Sequence, residues 1–329
     1  LVQFSLGSAP DISQISEFTF LGLKTSFITE EVDMTKSNKG NVFITGTSTG
    51  LGRATALLLD KEEYRVFAGV RTDKDAELLK QAASGDLTPI IIDITKAEQI
   101  KSAAEFISLA SGNEGLFALI NNAVLAVDGP LECVPIDDIR WNFEVNVVGQ
   151  IAVTQAFLPM LRKAKGRIIN ISAICGRIAL PYRGLLSASK FALEAITDSL
   201  RMELRSSGIE VLSILPGGIV TPEQADKVET GYQKTLANMS TEAKAIYGNN
   251  YKIYMQAAVK GNRTTGLPLE KVTDAILEAL EAPKPKRQYF VTQSPWELRL
   301  YALLKRLVPY QYFHDTFYFG GIRKGMGLD

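Results

Sequence analysis

The chain is poor in the side chains on which hydrolases and metalloproteins most often depend. It has one histidine, His314, close to the C-terminus. That argues against a triad with a central imidazole and against any multi-histidine metal site, so no metal is expected. Its two cysteines, Cys133 and Cys175, lie far apart and match no metal-ligand spacing. A disulfide framework is excluded, and a reducing, cytoplasmic setting is the simpler expectation. No apolar run reaches the roughly 18–20 residues that would span a bilayer. Neither sign of charge is in excess, with Lys plus Arg and Asp plus Glu both at 36. A nucleic-acid-binding domain is normally strongly basic, so no nucleic-acid partner is expected.

What remains is an ordinary globular composition, 46% apolar and 22% charged over 329 residues. That length suits one large α/β domain with additions. Residues 1–38 read as a flexible extension. Their first 34 positions hold five acids and a single base, Lys24, which fits neither a secretory signal nor an Arg-rich transit peptide. A docking arm is the lesser alternative for them. From Asn41 onward, short apolar runs alternate with amphipathic segments, the pattern of a parallel sheet with helical crossovers. Strands are expected at 42–45, 65–70, 88–92, 118–121, 167–171, 211–215 and 289–292. Helices are expected at 51–60, 73–83, 97–110, 139–162, 186–206 and 269–281. The expected fold is thus one Rossmann-type, doubly wound parallel sheet of about seven strands with helices on both faces, over residues 39–294. Residues 221–261 break the alternation as a polar, weakly amphipathic insertion, and long insertions in such folds are usually lids or binding loops.

The first strand runs into Thr45-Gly46-Thr47-Ser48-Thr49-Gly50-Leu51-Gly52 and then a helix. Glycines there let backbone N–H groups approach a pyrophosphate, and the helix N-terminus adds partial positive charge. The second strand ends at Val70-Arg71-Thr72. An NAD-selective site would usually place an acid there for the ribose 2′-hydroxyl. Arg71 can instead form a forked pair with a 2′-phosphate, so NADP(H) is expected in preference to NAD(H).

With those residues on the page, the chain resembles the classical short-chain dehydrogenase/reductases. Thr45-Gly46-x-x-x-Gly50-x-Gly52 is similar to their cofactor motif. Asp93 follows the third strand, Asn121-Asn122-Ala123 ends the fourth, and Asn146 lies in Val145-Asn146-Val147-Val148-Gly149. Ser187-Ala188-Ser189-Lys190-Phe191 opens a helix, and Pro216-Gly217-Gly218 precedes Thr221. The order covers about residues 38–310 and is closest to the hydroxysteroid and retinol dehydrogenase-like branch. The resemblance implies cofactor contacts from Gly46, Thr47, Ser48, Gly50, Leu51, Gly52, Arg71, Asp93, Asn122, Ala123, Lys190, Pro216, Gly217 and Thr221. It implies oxidoreductase chemistry in which a Tyr hydroxyl exchanges a proton with the substrate oxygen. A Lys four residues later lowers the Tyr pKa and holds the ribose, a Ser fixes the substrate oxygen, and an Asn supports a water relay.

The residues depart from that pattern in three places. Lys190 and Asn146 match, but the Tyr position is Leu186 and the Ser position is Ala173. Val124 replaces the glycine that usually follows Asn-Asn-Ala and adds bulk near the nicotinamide side. Leu and Ala carry no titratable proton, and losing one such group typically costs about 10²–10⁴ in rate. Two substitutes are available in sequence. Ser172 is adjacent to Ala173, although neighbouring strand residues point to opposite faces. Tyr182 would share a face with Leu186 and Lys190 if the helix began a turn early, with Pro181 tolerated at its start but Gly184 weakening the extension.

Two readings follow. In one, the cofactor site survives on a chain whose redox chemistry is impaired or non-standard. In the other, the chain is an active NADP-dependent dehydrogenase or reductase of a lipophilic, steroid- or retinoid-like alcohol or carbonyl, using water or Tyr182 as proton donor. Both imply a small lipophilic ligand, and a homodimer is compatible with either. Residues 295–329, a helix and an aromatic tail, could pack over the core, form a lid, or rest on a membrane surface.

Overall fold

A computed structural model describes residues 39–293. The N-terminal extension and the aromatic tail, for which expectations were stated above, lie outside the described residues.

The sheet is built from β1 (Asn41–Ile44), β2 (Arg65–Val70), β3 (Leu87–Ile91), β4 (Ala118–Asn121), β5 (Arg167–Ile171), β6 (Glu210–Pro216) and β7 (Gln288–Val291). Their order is β3-β2-β1-β4-β5-β6-β7, and every pairing is parallel. In register, Ile44 faces Ala68 on one side and Ile120 on the other, and Ile171 faces Ile214. All residues of β1, β2 and β4 are buried. That is why these strands read as continuous rather than alternating apolar runs: helices cover both faces.

Around the sheet lie α1 (Gly50–Lys61), α2 (Asp73–Ala82), α3 (Ala97–Ser111), α4 (Ile136–Phe143), α5 (Gly149–Ala164), α6 (Gly184–Glu203), α7 (Pro222–Asn238), α8 (Thr241–Lys260) and α9 (Leu269–Glu281). One core cluster joins Val42, Ile44, Leu59 and Val66 to Val272 and Ile276 of α9. The other joins Phe43 and Phe67 to Ile107 of α3 and Phe157 of α5, with Phe43 and Phe157 stacked at 4.5 Å. The expected doubly wound sheet of seven parallel strands is what forms. Strand order reverses between β1 and β4, so the crevice above their C-terminal ends is where such folds place ligands.

A buried polar ladder ties the site-bearing helices to that crevice. The Asn121 side-chain amide donates to Thr154 Oγ1 of α5 at 3.0 Å and to Asn170 Oδ1 of β5 at 2.9 Å. Asn170 in turn donates to Thr197 Oγ1 of α6 at 2.8 Å. Buried amides of this kind are stable only when paired, so the ladder orients both helices as well as stabilising them.

Two expectations need correction. The helix expected over 139–162 is broken, because a five-residue π turn, Glu144–Val148, separates α4 from α5. The apolar periodicity continues through the break and hides it. The insertion at 221–261, where no helix was expected, forms two helices, α7 and α8, with a core of their own containing Ala225, Val228, Tyr232, Tyr251 and Met255.

Candidate functional site

The loop after β1 is held by its neighbours rather than by its own side chains. Thr45 Oγ1 accepts from the backbone N–H of Asn122 at 3.0 Å and of Ala123 at 3.1 Å. The Asn122 side-chain amide donates to the carbonyls of Thr45 and Gly46, both at 2.9 Å. Thr47 is buried and donates through Oγ1 to the Gly69 carbonyl at 3.0 Å. Gly46 has φ +71°, a left-handed conformation that other residues resist. At Gly52 a Cβ would stand 2.2 Å from the Gly46 carbonyl oxygen, so only glycine lets α1 start this close to the loop.

Thr49 precedes α1 in an extended conformation, its side chain makes no capping bond, and the first turn carries no acid. The first N–H groups and the helix dipole therefore face an uncapped, unneutralised end beside Ser48 and Leu51, which is the arrangement that receives a phosphate. Thr221 reaches this loop from the far side of the crevice. Its Cγ2 is 3.9 Å from where a Gly50 Cβ would be, and its N–H donates to Asn262 at 2.9 Å. Pro216 ends β6, and the Gly217 N–H is tied to the Val291 carbonyl at 2.9 Å, which carries the chain towards α7.

At the other end of the crevice, Arg71 is exposed just beyond β2. Asp93 Oδ1 accepts from the Thr95 N–H at 3.0 Å and its hydroxyl at 2.7 Å. Burial works to raise the Asp93 pKa, but the Thr95 hydrogen bonds and the charges of Lys96 and Arg71 outweigh it and hold the carboxyl below its usual value. Arg71 and Asp93 thus flank one end of the site electrostatically. Val124 stands half exposed past β4.

Asn146 sits in the π turn, and that turn is what aims its side chain. Its Oδ1 accepts from the Leu125 N–H at 2.7 Å, while Nδ2 donates to the Leu125 carbonyl at 2.8 Å and to Ser189 Oγ at 3.1 Å. Single-turn π bulges often sit at functional positions, and here the bulge directs a fully buried amide across to α6. Lys190, one residue beyond Ser189, is also buried, and its Nζ donates to the Ile171 carbonyl at 2.6 Å. Burial drives its pKa down to about 8, against smaller opposing effects from Cys175 and Glu194. Glu194 anchors the same helix by accepting from Arg177 at 2.6 Å, Gln288 at 2.8 Å and Ser213 at 3.3 Å.

One turn before Lys190 on the same face stands Leu186, partly buried in the first turn of α6. Ala173 follows β5 in an extended conformation. Ser172 is buried. Its Oγ lies 2.9 Å from where a Gly176 Cβ would be, and it has no hydrogen-bond partner, so it is packed under the 174–176 turn. The helical alignment that would bring Tyr182 over Lys190 does not form. Here α6 begins at Gly184, and Tyr182 adopts φ +59° in the preceding loop. Its ring packs instead on Tyr251 at 5.3 Å and Tyr254 at 5.6 Å, both from α8.

Sequence reasoning missed the ion pair beside this site. Arg183 Nη2 meets Asp128 Oδ2 at 3.2 Å, with side chains 18% and 9% exposed. Asp128 also accepts through its carbonyl from the Tyr251 hydroxyl at 3.1 Å, which joins the loop after β4 to α8. Burial pushes the Tyr251 and Tyr254 hydroxyls up to about 12, so both stay protonated at neutral pH. No local pattern announces a pair separated by so many residues. A groove of about 320 Å³ lined by Glu229, Tyr232, Gln256, Val259, Lys260, Arg263 and Thr264 shares no residue with the loop or with Lys190.

A parallel sheet with this strand order, a glycine loop at its switch point, and a buried Lys and Asn at the crevice define a dinucleotide-fold oxidoreductase scaffold. Residues 40–231 match the family described as short chain dehydrogenase, and the chain belongs to it. It is 34% identical to retinol dehydrogenase 7 of Mus musculus over 289 residues, covering 87% of this chain and 90% of that protein. It is 34% identical to 17-beta-hydroxysteroid dehydrogenase type 6 of Bos taurus over 263 residues, or 79% of this chain and 82% of that one. A solved short chain dehydrogenase from Burkholderia cenocepacia J2315 in complex with NADP superposes with a TM-score of 0.61 at 26% identity, covering 84% and 96% of the two chains. Among the described residues no helix is long and apolar enough to cross a membrane.

Proposed function

We propose that this protein binds NADP(H) on a short-chain dehydrogenase scaffold while lacking the usual proton relay, so that its carbonyl–alcohol chemistry is impaired or non-standard. The observation that carries the reading is the contrast within one helix: Lys190 is buried and oriented, and the residue one turn before it is Leu186.

The residues fit a dinucleotide. Gly46, Gly50 and Gly52 keep the loop open, and the uncapped start of α1 offers N–H groups to a pyrophosphate. Asp93 and the Asn122–Ala123 backbone border the adenine side, and Arg71 suits a 2′-phosphate. Lys190 would hold the ribose. When bound, the nicotinamide supplies a hydride. Lys190 would position it and Asn146 would support a water relay, but neither Leu186 nor Ala173 can donate or hold a proton at the substrate oxygen. The apolar and tyrosine-rich lid, together with relatives named for retinol and hydroxysteroids, supports a small lipophilic ligand.

Titrating the purified protein with NADPH, then assaying turnover across lipophilic aldehydes and ketones, tests the reading. Saturable binding with little reduction is expected. Turnover as fast as that of ordinary family enzymes would overturn it.

A further inference from the structure

We propose that Lys227, on α7, is a contact for the pyrophosphate bridge of the dinucleotide and ties α7 to bound cofactor. The inference rests on the cofactor reading above and adds a residue that no sequence motif points to.

Lys227 lies six positions beyond Thr221, and its Nζ donates to Thr49 Oγ1 at 3.3 Å. Thr49 is the residue whose side chain leaves the start of α1 uncapped. With Thr221 placed near Gly50, α7 therefore crosses the phosphate loop at two points. Two of the three acids on α7 are engaged away from Lys227. Asp226 and Glu229, which flank Lys227, both pair with Arg263 at 2.9 and 2.6 Å, so these two acids are drawn to the π turn after α8, while Glu223 stays in the first turn of α7. The ammonium is left directed at the loop. Its present partner is a neutral hydroxyl, whereas a pyrophosphate oxygen offers a charge-assisted bond roughly twice as strong. Exchange of one for the other would hold α7 more firmly against the loop, because a ligand stabilises an arrangement only through such a difference in contacts.

The bridge is common to NADPH and NADH, which separates Lys227 from Arg71. Titration of the full-length protein with each nucleotide should show Lys227→Gln weakening both by about fivefold, the upper range of an exposed ion pair. Lys227→Arg should retain most of the affinity. Amide hydrogen exchange in α7 should slow on NADPH addition in the wild type and not in Lys227→Gln. Unchanged affinity for both nucleotides, or a loss confined to NADPH, overturns the proposal. So does α7 exchange that ignores the cofactor. If Lys227→Gln melts early, Lys227→Arg and the wild-type exchange data still decide. Wild-type protein that binds neither nucleotide refutes the cofactor reading itself, a result distinct from an inert Lys227.

Discussion

Restoring two side chains should revive carbonyl reduction, and the size of the effect follows from α6. In Leu186→Tyr the phenol would stand one helical turn before Lys190 on the same face, with Cβ atoms about 5–6 Å apart. At an effective dielectric near 20, a lysine charge about 5–6 Å from the phenol oxygen would favour the phenolate by about 3 kcal/mol, lowering the phenol pKa by about two pH units. Ala173→Ser adds a nearly isosteric hydroxyl at the end of β5, where it can orient the substrate oxygen. Together they rebuild a proton path worth about 10²-fold or more in rate, and each alone should recover far less, because such groups act as a unit. The pH profile carries a second signature. Lys190 is held to about 8, so its charge is present below that pH and lost above it. The electrostatic support for the phenolate should fade as pH rises past 8. The assay is loss of NADPH absorbance with a lipophilic aldehyde, run beside both single variants and the parent. A double variant that binds NADPH yet stays inert with every carbonyl tried would refute the reasoning. So would a parent as fast as the double variant.

Arg71→Ala should weaken NADPH binding by about 1.5–3 kcal/mol and leave NADH unchanged, since one charged hydrogen-bonding contact to the 2′-phosphate is removed. Equal affinities for the two nucleotides in the parent, unchanged by the substitution, would count against Arg71. Lys190→Met should stabilise the ligand-free fold while abolishing cofactor binding. Holding a lysine at about 8 instead of its ordinary 10.5 costs about 3 kcal/mol. Loss of the hydrogen bond leaves the buried Ile171 carbonyl without this donor and takes back about 1–3 kcal/mol, so the net gain is at most about 2 kcal/mol and about 4–8 °C in Tm. Because the folded pKa is depressed, the penalty is complete below pH 8 and disappears as pH rises through 10.5. The Met variant's advantage should follow the same course in melting experiments, and a Met variant less stable than the parent at pH 7 would show that the burial cost is not real.

Local chemistry was enough to read the strand–loop–helix succession from residue 41 onward. Strands buried on both faces are written as unbroken apolar runs, and the crossover helices between them as amphipathic ones. The glycines of the phosphate loop were legible for the same reason, since positive φ and close backbone approach are requirements on single residues. So was the Leu186–Lys190 relation, because spacing of four residues defines a helical face. Other features arise from partners far apart along the chain, and no periodicity encodes them. Asn146 sits in a π turn with its amide bonded at once to Leu125 and Ser189, 21 and 43 residues away. Lys190 is depressed because the sheet and the 174–176 turn exclude water from it. Tyr182 turns into the left-handed region and packs on α8, which removes it from the helix it would have had to extend. The polar insertion became two helices because Tyr232, Tyr251 and Met255 found a shared core only once α7 and α8 folded against each other. Asp128 and Arg183, 55 residues apart, meet only in three dimensions.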